Sequence, residues 1–103
     1  QYGPVLVFGL GGVFVEVMKD VVFRALPISR ADAVEMVGGI RGQAMLEGAR
    51  GLPKADRAAL VDLLLAVSAI CQAHPEIAEL DLNPVIVHGN GLSIADARIL
   101  IDA

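Results

Sequence analysis

Between Asp56 and His74-Pro75, the residues Leu60, Leu63, Leu64, Val67, Ile70 and Cys71 recur at steps of three and four. That spacing places them on one face of an α-helix. Val61, Leu65 and Ala69 widen the apolar face, so the helix must lie across a sheet. Asp56 can cap its first turn, which predicts a helix over Arg57 to Ala73. The strands that this helix covers have to come from the two ends of the chain.

Strand-like runs occur at both ends. Residues 5–8 and 13–17 are short β-type segments separated by Gly9-Leu10-Gly11-Gly12. Residues 21–26 form a third, close enough to Lys19-Asp20 to make a hairpin with the second, and Pro27 ends it. Ser29 stands three residues before Asp32, the spacing of a capping box, and predicts a short helix to about Val37 that Gly38-Gly39 stops. A further helical turn is expected around residues 43–47. After Pro75, residues 77–87 read as a strand interrupted by Pro84, and residues 92–101 as its partner across His88-Gly89-Asn90-Gly91, with Asn90-Gly91 a strong turn signal. The pattern predicts an α+β fold, a mainly antiparallel sheet with helices packed on one face.

Composition narrows the function. The 103 residues are 55% apolar but only 4% aromatic, with no Trp, so stacking platforms for single-stranded nucleic acid are poorly supplied. The 12 acidic and 8 basic residues form no basic stripe, which argues against duplex binding. Apolar stretches fall short of the roughly 20 residues that span a bilayer. Cys71 has no partner for an internal disulfide and reads as a buried structural thiol in a reducing, cytoplasmic setting. Gln1-Tyr2-Gly3-Pro4 leads straight into a strand with no Met and no basic leader, as in a piece of a longer polypeptide. The high apolar content allows an exposed patch, and with it self-association.

Chemistry concentrates in the last hairpin. Asp81 and Asn83 are two apart on one strand, and Asp96 and Arg98 are two apart on the next. A two-residue loop centred on Gly89-Asn90 or on Asn90-Gly91 sets Asn83 opposite Asp96 or Arg98, with all four polar residues on one face. Two carboxylates, an amide and a guanidinium on a half-buried face need partners, and Mg²⁺ with a nucleotide phosphate would supply them. The metal takes hard oxygen ligands, and Arg98 balances phosphate charge. The plainer reading is a cross-strand ion pair between Asp81 and Arg98, with Asn83-Pro84 ending a strand.

Gly3-Pro4-Val5 through Phe8-Gly9-Leu10-Gly11-Gly12-Val13-Phe14-Val15-Glu16-Val17, then Lys19-Asp20-Val21, resembles the C-terminal part of the ATP-grasp domain in NDP-forming acyl-CoA synthetases. Glu79-Leu80-Asp81-Leu82-Asn83-Pro84 and Asp96-Ala97-Arg98 match the same family in order and spacing. The resemblance spans nearly the whole chain and implies one ATP-grasp lobe over residues 1–103, a fragment of a larger protein. It further implies that Asn83 and Asp96 are Mg²⁺ ligands, with Asp81 replacing a Glu of the relatives. Arg98, Glu16, Gly11 and Gly12 fall beside the nucleotide, ATP.

The same resemblance places the other ATP-grasp lobe, the CoA-binding region and the phosphate-relaying histidine elsewhere in the parent. There, ATP phosphorylates a histidine and the phosphoryl group passes on through an acyl phosphate to yield acyl-CoA. The alternative is a non-catalytic interaction or regulatory module in an acyl-CoA-synthetase-like protein acetyltransferase. On residue logic alone, Gly11 and Gly12 equally serve a tight connection and Glu16 a solvent-facing strand. Arg24 and Arg41 read as surface charges. His74 and His88 lack the spacing of a metal or triad site.

Overall fold

The computed structural model describes residues 4–9, 20–48, 54–82 and 85–101. In chain order the elements are β1 (Val5–Gly9), β2 (Val21–Ala25), α1 (Arg30–Gly39), α2 (Gln43–Leu46), α3 (Arg57–Ala73), β3 (Ile77–Leu82), β4 (Val85–His88), β5 (Gly91–Ile94) and β6 (Ala97–Ile101). The strands pair as three antiparallel ladders, β1 with β2, β3 with β6 and β4 with β5. This is the expected α+β class, with the antiparallel strands divided among ladders. The hairpin expected between residues 13–17 and 21–26 has its first strand outside the described residues. The observed partner of β2 is β1, with Val5 opposite Ala25 and Gly9 opposite Val21.

The core is a seam between α1 and α3, floored by β1. Ala33, Met36 and Val37 of α1 meet the buried Leu60, Val61, Leu64 and Val67 of α3, with Leu6 of β1 in the same cluster. Burying a Leu or Val side chain is worth about 1.5–3 kcal/mol, so this seam outweighs any local propensity. Cys71 packs at its margin and is half-buried, a correction to the fully buried thiol expected from its apolar neighbours. It sits near the end of α3, where little packs beyond it.

Helix α1 starts as its sequence dictates. The Ser29 hydroxyl accepts the Asp32 N–H at 3.1 Å, and the Asp32 carboxylate accepts the Ser29 N–H at 2.8 Å. Its end differs from expectation, because the helix runs through Gly38 and Gly39. Gly39 lies against β2, where a Cβ would meet Val22 Cγ2 at 3.2 Å, so this glycine serves close helix–strand approach. The end is satisfied by Gln43, whose Nε2 donates to the carbonyls of Val37 and Ile40, both at 2.9 Å.

Polar side chains tie the elements together. Asp20, only 3% exposed, accepts the backbone N–H groups of Arg41 and of Gly42, the latter at 2.8 Å. Ser68, buried on α3, accepts the Ile28 N–H at 3.2 Å and so joins that helix to the segment after β2. Arg57 donates to Gln43 Oε1 and Glu47 Oε2, both at 2.8 Å. That hydrogen bond from Arg57, helped by the Lys54 charge, holds the Glu47 carboxyl below its ordinary range.

Two outcomes follow from these contacts. Ser68→Ala leaves the Ile28 N–H buried without an acceptor and should cost about 1–3 kcal/mol in urea denaturation. The Asp32 carboxyl is held below its ordinary range by the Ser29 backbone N–H, then the Ser29 hydroxyl, with a lesser contribution from the Arg24 charge. Its folded value being the lower one, the box stabilises α1 above the unfolded Asp value. That contribution disappears as pH falls through the folded value. A carboxyl carbon NMR titration should place the Asp32 midpoint below that of a reference peptide, and Ser29→Ala should raise it.

Candidate functional site

The turn at the tip of β4–β5 is two residues long, with His88 opposite Gly91 and Gly89-Asn90 between them. Gly91 has φ +110, a conformation that costs a side chain and explains the glycine there. This is one of the two registers consistent with the sequence. The ladder then runs through Val85 opposite Ile94, and β3–β6 resumes with Leu82 opposite Ala97. Two residues lie between Leu82 and Val85 and two between Ile94 and Ala97, so both ladders keep one count.

The expected single polar face includes Asn83, which lies outside the described residues; Asp81 and Arg98 are register partners and share one side of β3–β6. Leu80 and Leu82 of β3 pack toward the core, and so does Val87 of β4, an odd number of residues further on. β3 and β4 therefore turn residues of opposite parity toward the core. Asp81 stands directly opposite Arg98 on the outer side of β3–β6, while Asp96 lies between β5 and β6. All three are exposed, which corrects the half-buried face expected from alternation. The physical reason is that every residue of β6 is exposed, so among the described residues nothing covers this strand.

Asp81 and Arg98 are register partners, yet they are not among the ion pairs within 4.0 Å formed by the described residues. The plainer cross-strand pair is thus present in register and not in contact. Asp96 Oδ1 accepts the N–H of its own neighbour Ala97 at 2.9 Å, which leaves Oδ2 for another partner. The donor set is oxygen on both carboxylates, the chemistry that suits Mg²⁺. Among the described residues, no three His, Cys, Asp or Glu converge as a metal cluster. Asn83, Glu16, Gly11 and Gly12 lie outside the described residues.

Other charges have structural partners. Arg24 donates to the Phe23 carbonyl at 2.8 Å and lies 3.7 Å from Glu35, in keeping with a surface charge. His74 caps the end of α3 and lies 3.3 Å from Glu76, and His88 Nε2 lies 3.0 Å from Ser93 Oγ. Two acids do more than their sequence context reveals. Asp20 looks like a turn acid beside Lys19 and is a buried acceptor. Asp56 reads as a helix cap, but its second carboxylate oxygen accepts the Gly91 N–H at 2.7 Å, 35 residues away. No local pattern signals either role.

Comparison with known proteins places this arrangement. The family model of the ATP-grasp domain matches residues 1–101. This chain therefore belongs to the ATP-grasp domain family. It is 48% identical over 101 residues to acetate–CoA ligase [ADP-forming] I of Archaeoglobus fulgidus, covering 98% of this chain and 15% of that protein. It is 42% identical to the β subunit of acetate–CoA ligase [ADP-forming] I of Pyrococcus furiosus, 44% of which it covers. The fold matches the dinucleotide-forming acetyl-coenzyme A synthetase 1 of Candidatus Korarchaeum cryptofilum, solved with coenzyme A and Mg-AMPPCP. The TM-score is 0.90 at 44% identity, over 98% of this chain and 47% of that one. The chain thus spans less than half the length of these relatives.

The geometry of Asp81 and Arg98 predicts weak coupling. A double-mutant cycle with Asp81→Ala and Arg98→Ala should give an interaction energy in urea denaturation of about 0.5 kcal/mol or less, as for exposed pairs out of contact.

Proposed function

We propose that this chain is the C-terminal lobe of the ATP-grasp module in an ADP-forming acyl-CoA synthetase, where it contributes ligands for a magnesium–nucleotide complex. The observation that carries the reading is the fold match along 98% of the chain to a synthetase solved with coenzyme A and Mg-AMPPCP. The last hairpin supports it, with oxygen donors exposed at the end of a registered ribbon.

In this reading Asn83 and Asp96 hold Mg²⁺, Asp81 lies beside them, and Arg98 faces phosphate. Bound magnesium would neutralise charge on the transferring phosphoryl group. The part played by this chain is positional. The ladder fixes where the carboxylate of Asp96 stands, and the guanidinium of Arg98 brings positive charge to an exposed surface that phosphate can reach. Glu16, Gly11 and Gly12 belong to the nucleotide side of the same cleft. His74 and His88 are engaged by Glu76 and Ser93, so the phosphate-accepting histidine is assigned to another region of the parent. The second ATP-grasp lobe and the coenzyme A site are assigned there too, in a cytoplasmic enzyme. No helix among the described residues is long and apolar enough to cross a membrane.

The second reading is a non-catalytic interaction module. The exposed Ile99 and Ile101, two apart on one side of β6, favour it, because they offer apolar surface that a protein neighbour would cover.

The test is Mg²⁺-dependent acyl-CoA formation from ATP by the full-length parent carrying Asn83→Ala or Asp96→Ala. Each should lose at least about 10–100-fold in activity, the range found when even an outer partner of a metal is removed. Full activity in both, with the fold intact, would remove the metal assignment and favour the interaction module.

A further inference from the structure

Asp56 makes two more bonds than a helix cap requires. Its Oδ1 accepts the Ala59 N–H at 3.0 Å, which caps α3. Its Oδ2 accepts the Gly91 N–H at 2.7 Å, and its own N–H donates to the His88 carbonyl at 3.0 Å. His88 and Gly91 are the register pair that closes the β4–β5 turn. One residue therefore grips both strands of the hairpin at their tip and fastens them to the first turn of a 17-residue helix.

A serine or asparagine would cap α3 about as well. Neither would reproduce the second acceptor. A serine has one side-chain oxygen, and an asparagine would turn an amide N–H toward the Gly91 N–H. The carboxylate is the side chain that serves helix and hairpin at once, and charge-assisted bonds of this kind are the stronger ones.

We propose that Asp56 is a positioning residue for the metal-binding end of this hairpin. This rests on the reading that Asn83 and Asp96 hold Mg²⁺. Asp96 lies five residues beyond Gly91, roughly 17 Å along the ribbon at about 3.3 Å per residue. Asp56 is bonded at the tip and acts on Asp96 through the ladder. A two-stranded ribbon is weakly self-supporting, so its aim depends on where it is anchored. Tilting it by roughly 5° about a loosened tip would carry the far end about 1.5 Å, by the lever length above. Magnesium demands near-octahedral geometry at about 2.0–2.1 Å, and a displacement of that size would weaken its capture.

The experiment uses the full-length parent with Asp56→Ser and Asp56→Asn, which keep the helix cap, beside Asp96→Ala. Three quantities are read: the thermal midpoint, the Mg²⁺ concentration giving half-maximal acyl-CoA formation, and Mn²⁺ affinity by electron paramagnetic resonance with a non-hydrolysable ATP analogue. With the thermal midpoint close to that of the unsubstituted protein, both Asp56 variants should bind Mn²⁺ about 10-fold more weakly. Their Mg²⁺ half-saturation should rise by a similar factor, with kcat at saturating Mg²⁺ largely kept. Unchanged Mn²⁺ affinity in both, while Asp96→Ala weakens it, would overturn the positioning role alone. Unchanged affinity in Asp96→Ala as well would overturn the metal assignment and the positioning role together.

Discussion

Everything in this fold leans on the apolar seam between α1 and α3. Two-stranded ladders are marginal in water, and the described residues contain three of them. Among the described residues none has a third strand to lend it cooperativity. The seam built on Met36, Val37, Leu60 and Leu64 provides a rigid mass, and the ladders attach to it one by one. β1–β2 presses Leu6 into it, and β4–β5 contributes the partly buried Val87 and Leu92.

The attachments are polar as well as apolar, and they use few residues. Asp20 fixes the end of α1 relative to the start of β2, Ser68 fixes the segment after β2 to α3, and Asp56 fixes the hairpin tip to the same helix. Each is an acceptor for a backbone N–H from elsewhere in the fold. Among the described residues no buried side-chain nitrogen or oxygen is left unsatisfied. Side chains thus do between elements what ladder hydrogen bonds do within them.

How much of this could be read in the sequence depended on the range of the interaction. The helix over Arg57–Ala73 and its Asp56 cap are written in adjacent turns, and the Ser29–Asp32 box spans one turn, so both were legible. The two-residue turn was legible to within one register, because Asn90-Gly91 allows either centring. The extension of α1 through Gly38-Gly39 was not, since the need for glycine comes from Val22 on another element. The exposure of Asp81, Asp96 and Arg98 was missed for a similar reason. Alternation says which residues share a side, and only the packing of neighbours says which side is covered. For the candidate site, the hairpin and the carboxylates it carries were readable, while the anchoring of its tip depends on a contact across 35 residues.

The opposite parity of the core-facing residues in β3 and β4 gives this ribbon a phase. Leu82 and Val87 both turn inward although an odd count separates them, which is a half-step in a regular alternation between the two strands. The length between the two strands is therefore constrained. Adding or removing one residue would invert the facing of β4 relative to β3, carrying Val87 out to solvent and Ile86 into the core. The number of residues from Leu82 to Val87 is thus set by which faces of the two strands meet the core, a constraint on length that no single residue carries.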